Sequence, residues 1–255
     1  MILASDFDGT IYVNHKWNPK NLEFIKEFKS KGNIFGIVTG RDLYMTKLVI
    51  EQYQIPFDFI VCNNGTVVYD ENYNVLFKKT LSDEVYQKLL IDKELDESYY
   101  RVISNPDGRF IIEGFDIKGT KNQYYTKIIS MDEAKKLKDV YQVDTKYANH
   151  DIVLQVTETV KSNYPTIQLH PNIETIDYAP KGTDKCHALD EVKNHFNIDE
   201  IVTIGDGLND LKMIKKYHGY AMINGLEEVK DEAYKVIENF YDLKDELARR
   251  KYEKL

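Results

Sequence analysis

The chain has 255 residues, 42% hydrophobic and 30% charged, a balance that supports one large domain or two modest ones with an ample core. Its formal net charge of −8 argues against a footprint for nucleic acid or anionic lipid, although an acidic protein still binds phosphate when it brings its own cation. Cys62 and Cys186 share no disulfide or zinc-type spacing, no run nears the ~20 apolar residues of a membrane span, and Asp6 comes too early for a signal peptide, so a cytoplasmic protein is expected.

Ile2-Leu3-Ala4 reads as the end of a buried strand, opening into the loop Asp6-Phe7-Asp8-Gly9-Thr10, where Gly9 supplies the sharp turn. Two carboxylates two residues apart at a strand exit have a chemical logic. Asp6 can attack an electrophile, Asp8 can give or take a proton, and a divalent cation can be held by Asp6 and a loop carbonyl. A solvated Asp-Gly turn is the plainer alternative.

Residues 19–31 have a helical apolar stripe, Ile34–Val38 reads as a second buried parallel strand, and Asp42 to Tyr53 returns to helix. A third buried strand, Phe57 to Cys62, stops at Asn63-Asn64-Gly65. This alternation predicts a parallel sheet with crossover helices. The pattern then changes. Residues 66–69 and 75–77 flank a polar turn and read as a hairpin, as do 99–104 and 109–113 around Asn105-Pro106-Asp107-Gly108. Ser82 can cap a helix through Leu90, and Ser130-Met131-Asp132-Glu133 has the form of a capping box opening a helix towards Tyr141. Residues 152–156 suggest a strand, 157–164 a short helix, and 167–169 and 173–176 further strands.

Hairpins mixed with helices predict a separate α+β unit, 81–178, inserted between core segments 1–80 and 179–255. Within it, Arg101, Arg109, Lys146 and His150 read more simply as solvated or packed groups than as ligands. From Lys181 the alternation resumes: a helix to Phe196, a buried strand Ile201–Ile204 ending at Gly205-Asp206-Gly207, a helix from Asp210 to Tyr217, and a strand Tyr220–Ile223. Helices 227–234 and 243–254 follow, separated by Val236-Ile237.

Three more chain stations carry polar residues. Thr39-Gly40-Arg41 offers a hydroxyl and an amide to phosphate oxygens, or a plain helix cap. Lys181, before Gly182-Thr183, could neutralise both a nucleophilic carboxylate and a phosphate, but most of the 34 lysines and arginines must be solvated. Gly205-Asp206-Gly207-Leu208-Asn209-Asp210 gathers more acids and amides than a helix cap needs, which favours a metal loop.

In the order Asp-x-Asp, Thr-Gly, Lys, Gly-Asp-x-x-Asn-Asp, the chain resembles the haloacid dehalogenase-like superfamily of phosphotransferases in its Cof-type branch. Asn63-Asn64-Gly65 and Gly219-Tyr220-Ala221-Met222 resemble further motifs of that branch, whose large α/β cap is inserted where the 81–178 unit lies. Ile223-Asn224-Gly225 departs from its usual Gly-Asn-Ala. The resemblance implies an α/β, Rossmann-like core with an inserted cap that decides the substrate. It implies that Asp6 attacks phosphorus to form an aspartyl-phosphate, and that Asp8 protonates the leaving oxygen and then activates water. Thr39 and the Gly40 amide would bind the phosphoryl group and Lys181 would steady Asp6. Mg2+ would be held by Asp6, the Asp8 carbonyl and Asp206, with Asp210 in its outer shell and Asn209 there or on phosphate. The implied activity is that of a magnesium-dependent phosphatase acting on a small phosphorylated metabolite, as a monomer or homodimer. The alternatives are a phosphomutase or phosphotransferase using the same intermediate, or a non-catalytic protein that binds metal and phosphate.

Overall fold

The computed structural model describes residues 1–114 and 127–253. In chain order the elements are β1 (Ile2–Asp6), β2 (Tyr12–Val13), β3 (Lys16–Trp17), α1 (Pro19–Ser30), β4 (Ile34–Val38), α2 (Leu43–Tyr53), β5 (Phe59–Cys62), β6 (Val67–Asp70) and β7 (Val75–Lys78). Next come α3 (Asp83–Ile91), β8 (Tyr100–Asn105), β9 (Gly108–Ile112), β10 (Lys127–Ile129), α4 (Met131–Ala134), β11 (Gln142–Lys146), α5 (His150–Asn163), β12 (Ile167–Pro171) and β13 (Thr175–Pro180). The chain closes with α6 (Lys185–Phe196), β14 (Ile201–Gly205), α7 (Leu211–Tyr217), β15 (Tyr220–Met222), α8 (Glu227–Asp231), β16 (Lys235–Ile237) and α9 (Leu243–Glu253). The described residues fall into two compact units, within Met1–Gly40, Ile50–Phe77 and Asp184–Leu255, and within Arg41–Val49 and Lys78–Thr183.

The first unit is built on an eight-stranded sheet in the order β16-β15-β14-β1-β4-β5-β6-β7. From β16 to β5 neighbouring strands run parallel, and β6 turns back antiparallel on β5. A parallel strand must be apolar on both faces, because crossover helices cover both. In β1, Ile2 and Ala4 meet Ala188, Leu189 and Val192 of α6 and Met213 of α7 in one buried cluster. Towards the opposite face, Phe240 meets Phe24 of α1 edge-on at 5.3 Å and Phe35 of β4 at 6.1 Å between ring centroids. The sheet is therefore the middle of three layers, and β1 lies near its centre.

The second unit carries a six-stranded sheet in the order β10-β9-β8-β11-β13-β12, antiparallel except for the β9–β10 pair. Leu89 and Leu90 of α3, Ala134 of α4, and Val153, Val156 and Val160 of α5 bury against strand residues such as Ile103, Val143, Ile176 and Tyr178. Arg101 is buried here, donating to the carbonyls of Leu89 and Leu90 at the end of α3, to that of Asp92, and to the Asp96 carboxylate at 2.8 Å. It thus satisfies helix-end carbonyls that would otherwise lack donors. Lys146 pairs with Glu174 at 3.1 Å, and His150 is an exposed first residue of α5.

Several local expectations are corrected. Residues 152–156 are not a strand but part of α5, capped by Asn149, whose side chain accepts from the Ile152 amide. Val153, Val156 and Val160 recur at helical spacing, and packing on the sheet outweighs the β-propensity of valine. The capping box at Ser130 forms, but its helix stops at Ala134. β11, the β2–β3 hairpin and β16 were not anticipated: β11 has a single apolar residue, Val143, and the others are too short to carry a pattern. β13 extends to Pro180 and pairs there with Ile167, beyond the expected end of the insert at residue 178. Residue 254 of the expected last helix lies outside the described residues.

Gly36 marks a close approach in the central sheet. A Cβ there would lie 2.2 Å from the ring of Phe59, which pairs with it in register and is fully buried. Gly36→Ala is expected to cost about 1–3 kcal/mol by overpacking. Urea denaturation measures it, and Phe59→Leu in the same background should recover part of the loss.

Candidate active site

Parallel strands present all their carboxyl ends at one edge, which is where open α/β sheets bind ligands. Asp6, the last residue of β1, pairs in register with Val38 of β4, so Thr39 and Gly40 begin one residue beyond it. Ser5 pairs with Ile204 of β14, which puts Gly205 and Asp206 at the same level on the other side. The next strand, β5, ends in Asn63-Asn64-Gly65, all at positive φ (50°, 53° and 100°). That left-handed turn suits Asn and Gly, and it folds the Asn64 amide back onto the Thr39 carbonyl at 3.1 Å. Gly65 in turn packs directly on the Asp184 carbonyl, since a Cβ there would lie 2.2 Å from it. Asp184 is the N-cap of α6, accepting from the His187 amide at 2.7 Å. The helix start is thereby held at the strand-end level.

The first helical residue after that cap is Lys185. It is buried, and its Nζ donates to Asp6 Oδ1 at 2.5 Å and to Asp210 Oδ1 at 2.6 Å. Lysine is unfavourable in the first turn of a helix, where the macrodipole is positive, so this one is retained by its two carboxylate partners. Burial alone would lower its pKa, but the charges of Asp210 and Asp6 prevail and hold it above the usual lysine range. The other Asp210 oxygen, Oδ2, accepts from the amides of Asp206 and Gly207, both at 3.0 Å. Asp210 therefore has both oxygens engaged. It shapes the 206–210 loop and anchors the lysine.

Asp6, Asp206 and Asp210 bring carboxylate oxygens within 4.8 Å of one another. Three buried or half-buried carboxylates share one ammonium, a surplus of negative charge matching a divalent cation. Burial raises the Asp6 carboxyl well above its ordinary range, and Asp210 and Asp206 add to this against the pull of Lys185. Asp206 is pushed up to about 6, by burial first and then by Asp210. Asp6 Oδ2 is buried without a hydrogen-bond partner. Gly9 leaves no side chain in the way: a Cβ on it would lie 2.1 Å from Asp206 Oδ2. Oxygen donors and surplus negative charge together suit a hard cation such as magnesium.

The remaining expected residues are distributed unevenly. Asp8 is exposed in the loop after β1, where its backbone bridges to Tyr12. Thr39 is buried at the end of β4, and Gly40 lies close under the Asn64 amide. Asn209 donates to Asn64 Oδ1 at 3.1 Å, linking the acidic loop to the Asn-Asn-Gly turn. Lys181 is not in this cluster. It is exposed in the second unit, and its Nζ donates to the Pro165 carbonyl at 2.9 Å. β13 is still paired at Pro180, and a turn through Gly182 (φ +77°) separates Lys181 from the helix start. Lys185, four residues later, is the lysine beside Asp6. Its sequence signal was a lysine directly after an Asp helix cap, where a positive charge needs acidic company. Asn64 stands in the sequence as part of the Asn63-Asn64-Gly65 strand end that resembles a motif of the family branch, with no site role expected of it. The two asparagines at positive φ are its structural signal.

The model of the haloacid dehalogenase-like hydrolase family matches residues 3–242. The chain is 24% identical over 237 residues to the 5-amino-6-(5-phospho-D-ribitylamino)uracil phosphatase YcsE of Bacillus subtilis, covering 91% of this chain and 87% of that protein. It is 22% identical over 225 residues to the Escherichia coli phosphatase of the same name, YbjI, covering 84% and 82%. Among solved structures, the subclass IIB sugar phosphatase BT4131 superposes with a TM-score of 0.77 at 22% identity, covering 95% of each chain, a likeness of fold. With the family match running from β1 to the residue before α9, and acids, lysine and Thr-Gly assembled at one sheet edge, the chain belongs to the haloacid dehalogenase-like hydrolases.

Proposed function

We propose that the protein is a magnesium-dependent phosphatase that hydrolyses a small phosphorylated metabolite through a phosphoryl group carried on Asp6. The observation that carries this reading is the buried Lys185 bound to both Asp6 and Asp210 beside an unpartnered Asp6 oxygen. An ammonium in this place fixes one Asp6 oxygen and leaves the other to attack.

The chain's residues divide the work. Asp6 Oδ2 forms a bond to phosphorus as the bond to the leaving oxygen breaks, and Asp8 gives that oxygen its proton. Water then attacks the phosphorus, Asp8 takes the water's proton, and the Asp6 carboxylate departs. Thr39 and the Gly40 amide orient the phosphoryl oxygens, and the Asn209–Asn64 hydrogen bond keeps the two loops in register. Lys185 offsets negative charge on Asp6 throughout. Phosphoryl transfer asks a protein mainly for positioning and charge stabilisation, which these groups supply. Asp6, Asp206 and the Asp8 carbonyl would hold magnesium, which supplies charge neutralisation for the phosphoryl oxygens. The named relatives act on a phosphorylated ribitylaminouracil and on sugar phosphates, which supports a polar, phosphorylated small molecule as the substrate class.

Phosphate release from 4-nitrophenyl phosphate with magnesium tests the reading. Asp6→Asn is expected to lower kcat by roughly 10³-fold or more. Lys185→Met should lower it by roughly 10²-fold, as for loss of a preorganised charge. Lys181→Ala should stay within about two-fold, as for an ordinary surface change. Undiminished activity in Asp6→Asn, or equal losses at the two lysines, would overturn the assignment.

The raised carboxyls also set a pH dependence. Between the ordinary Asp value of 3.8 and about 6, folded metal-free protein holds protons at Asp206 that the unfolded chain has released. Stability from this source is present at low pH and is lost as pH rises through about 6, and the buried Asp6 acts in the same direction. Magnesium is expected to raise Tm above its value in chelator by more at about pH 7.5 than at about pH 5, through linkage to the ionised carboxylates. Asp206→Asn should remove most of that difference. Thermal unfolding in four buffers measures it, and an equal magnesium shift at both pH values would count against cation binding at these acids.

A further inference from the structure

Asp8 lies between β1 and a hairpin, β2–β3, whose strands are two residues each. The hairpin turns at Asn14 and His15, both at positive φ (51° and 57°), the conformation of a tight two-residue hairpin turn. A two-stranded hairpin of this size has little stability of its own and stays in place only if its side chains dock. Here they dock through aromatic rings. Tyr12 of β2 lies 5.5 Å from Phe7, stacked at 21°, and 6.2 Å from Tyr53 at the end of α2. Trp17 of β3, which pairs with Tyr12 across the hairpin, stacks on the same Tyr53 ring at 5.5 Å and 19°. Tyr53 thus holds both strands by their rings.

The docked hairpin is bonded directly to the Asp8 loop. The Tyr12 carbonyl accepts from the Gly9 amide at 3.0 Å, the Tyr12 amide donates to the Phe7 carbonyl at 2.9 Å, and Tyr12 forms an isolated bridge with Asp8. Asn224 and Asn21 hold the carbonyls of Gly9 and Ile11 on the other side. The backbone path between Phe7 and Tyr12 carries the Asp8 side chain, so it sets which positions the carboxyl can reach.

We propose that Tyr53, with Trp17, is a positioning residue for proton transfer by Asp8: its ring anchors the hairpin that fixes the Asp8 backbone. The proposal rests on the reading of Asp8 as proton donor, and its test separates the two. Proton donation matters most when the leaving oxygen is strongly basic, so a misplaced donor penalises phenyl phosphate more than 4-nitrophenyl phosphate. A merely structural loss penalises both alike. kcat/KM is the quantity to compare, since it reports the steps through departure of the leaving group.

Four proteins are compared: the unchanged chain, Asp8→Asn, Tyr53→Ala and Tyr53→Phe. Asp8→Asn should show the selective loss on phenyl phosphate. Tyr53→Ala should show the same selectivity in weaker form, roughly ten-fold on phenyl phosphate and no more than about three-fold on 4-nitrophenyl phosphate, the scale of a small displacement of a catalytic group. Tyr53→Phe keeps the ring and should stay within about two-fold of the unchanged chain, in line with an ordinary conservative change. Equal losses on the two esters in Tyr53→Ala, or none, while Asp8→Asn remains selective, overturn the positioning role alone. No selectivity in Asp8→Asn overturns the Asp8 reading and this proposal with it. If Tyr53→Ala does not fold, Trp17→Leu, which removes the other ring stacked on Tyr53, takes its place with the same expected selectivity and the same overturning result.

Discussion

A buried ammonium among three carboxylates is the constraint around which the first unit is arranged. Lys185 cannot be charged and dry without Asp6 and Asp210, and those acids cannot sit so close without it. The demand reaches into the local structure. α6 must begin at the strand-end level, so the Asn63–Gly65 turn packs against its cap without side-chain bulk. Asp210 must face Lys185, so its second oxygen ties down the 206–210 loop through two backbone amides. Even so, one positive charge does not match three negative ones, and burial first, then the neighbouring Asp210 carboxylate, raise the Asp206 carboxyl. A site of this kind is poised for a cation and for the charge changes of phosphoryl transfer.

The sheet makes this gathering possible. Asp6, Thr39 and Asp206 come from distant parts of the chain, yet parallel pairing in register sets them side by side. β1 is buried on both faces, which gives Asp6 a rigid platform. Asp8, by contrast, stands on a loop that side-chain docking must hold. Asp6 is fixed by the sheet, and the loop that carries Asp8 is packed against a small aromatic cluster. The second unit has its own internal logic. Arg101, a natural suspect for ligand binding, is spent on helix-end carbonyls, and Arg109 is buried against Asp42 at 2.8 Å.

Much of the core was legible in the chain because buried parallel strands are short apolar runs ended by polar loops. β1, β4, β5, β14 and β15 all read this way, and the chemistry-bearing residues stand at the ends of the first four or just beyond. α5 was misread because its valines suit a strand until the sheet beneath them fixes the period. β11 was missed because Val143 is its single apolar residue, and β16 because three residues carry no period. The helix after Ser130 was drawn too long because a capping box marks where a helix starts and says nothing of where it stops.

By itself, the sequence determined the alternating α/β core, the interruption by an α+β segment, the Asp-x-Asp loop and the acidic Gly-Asp loop. Each is a local pattern of apolar period and turn chemistry, readable within a few residues. Only the tertiary structure decided which lysine meets Asp6. Lys181 and Lys185 are four residues apart, and the choice depends on where β13 releases the chain and where Asp184 caps α6. The same holds for Tyr53, whose partners Tyr12 and Trp17 are some forty residues away in the chain. Contacts of that range depend on how elements pack, and no local pattern records them.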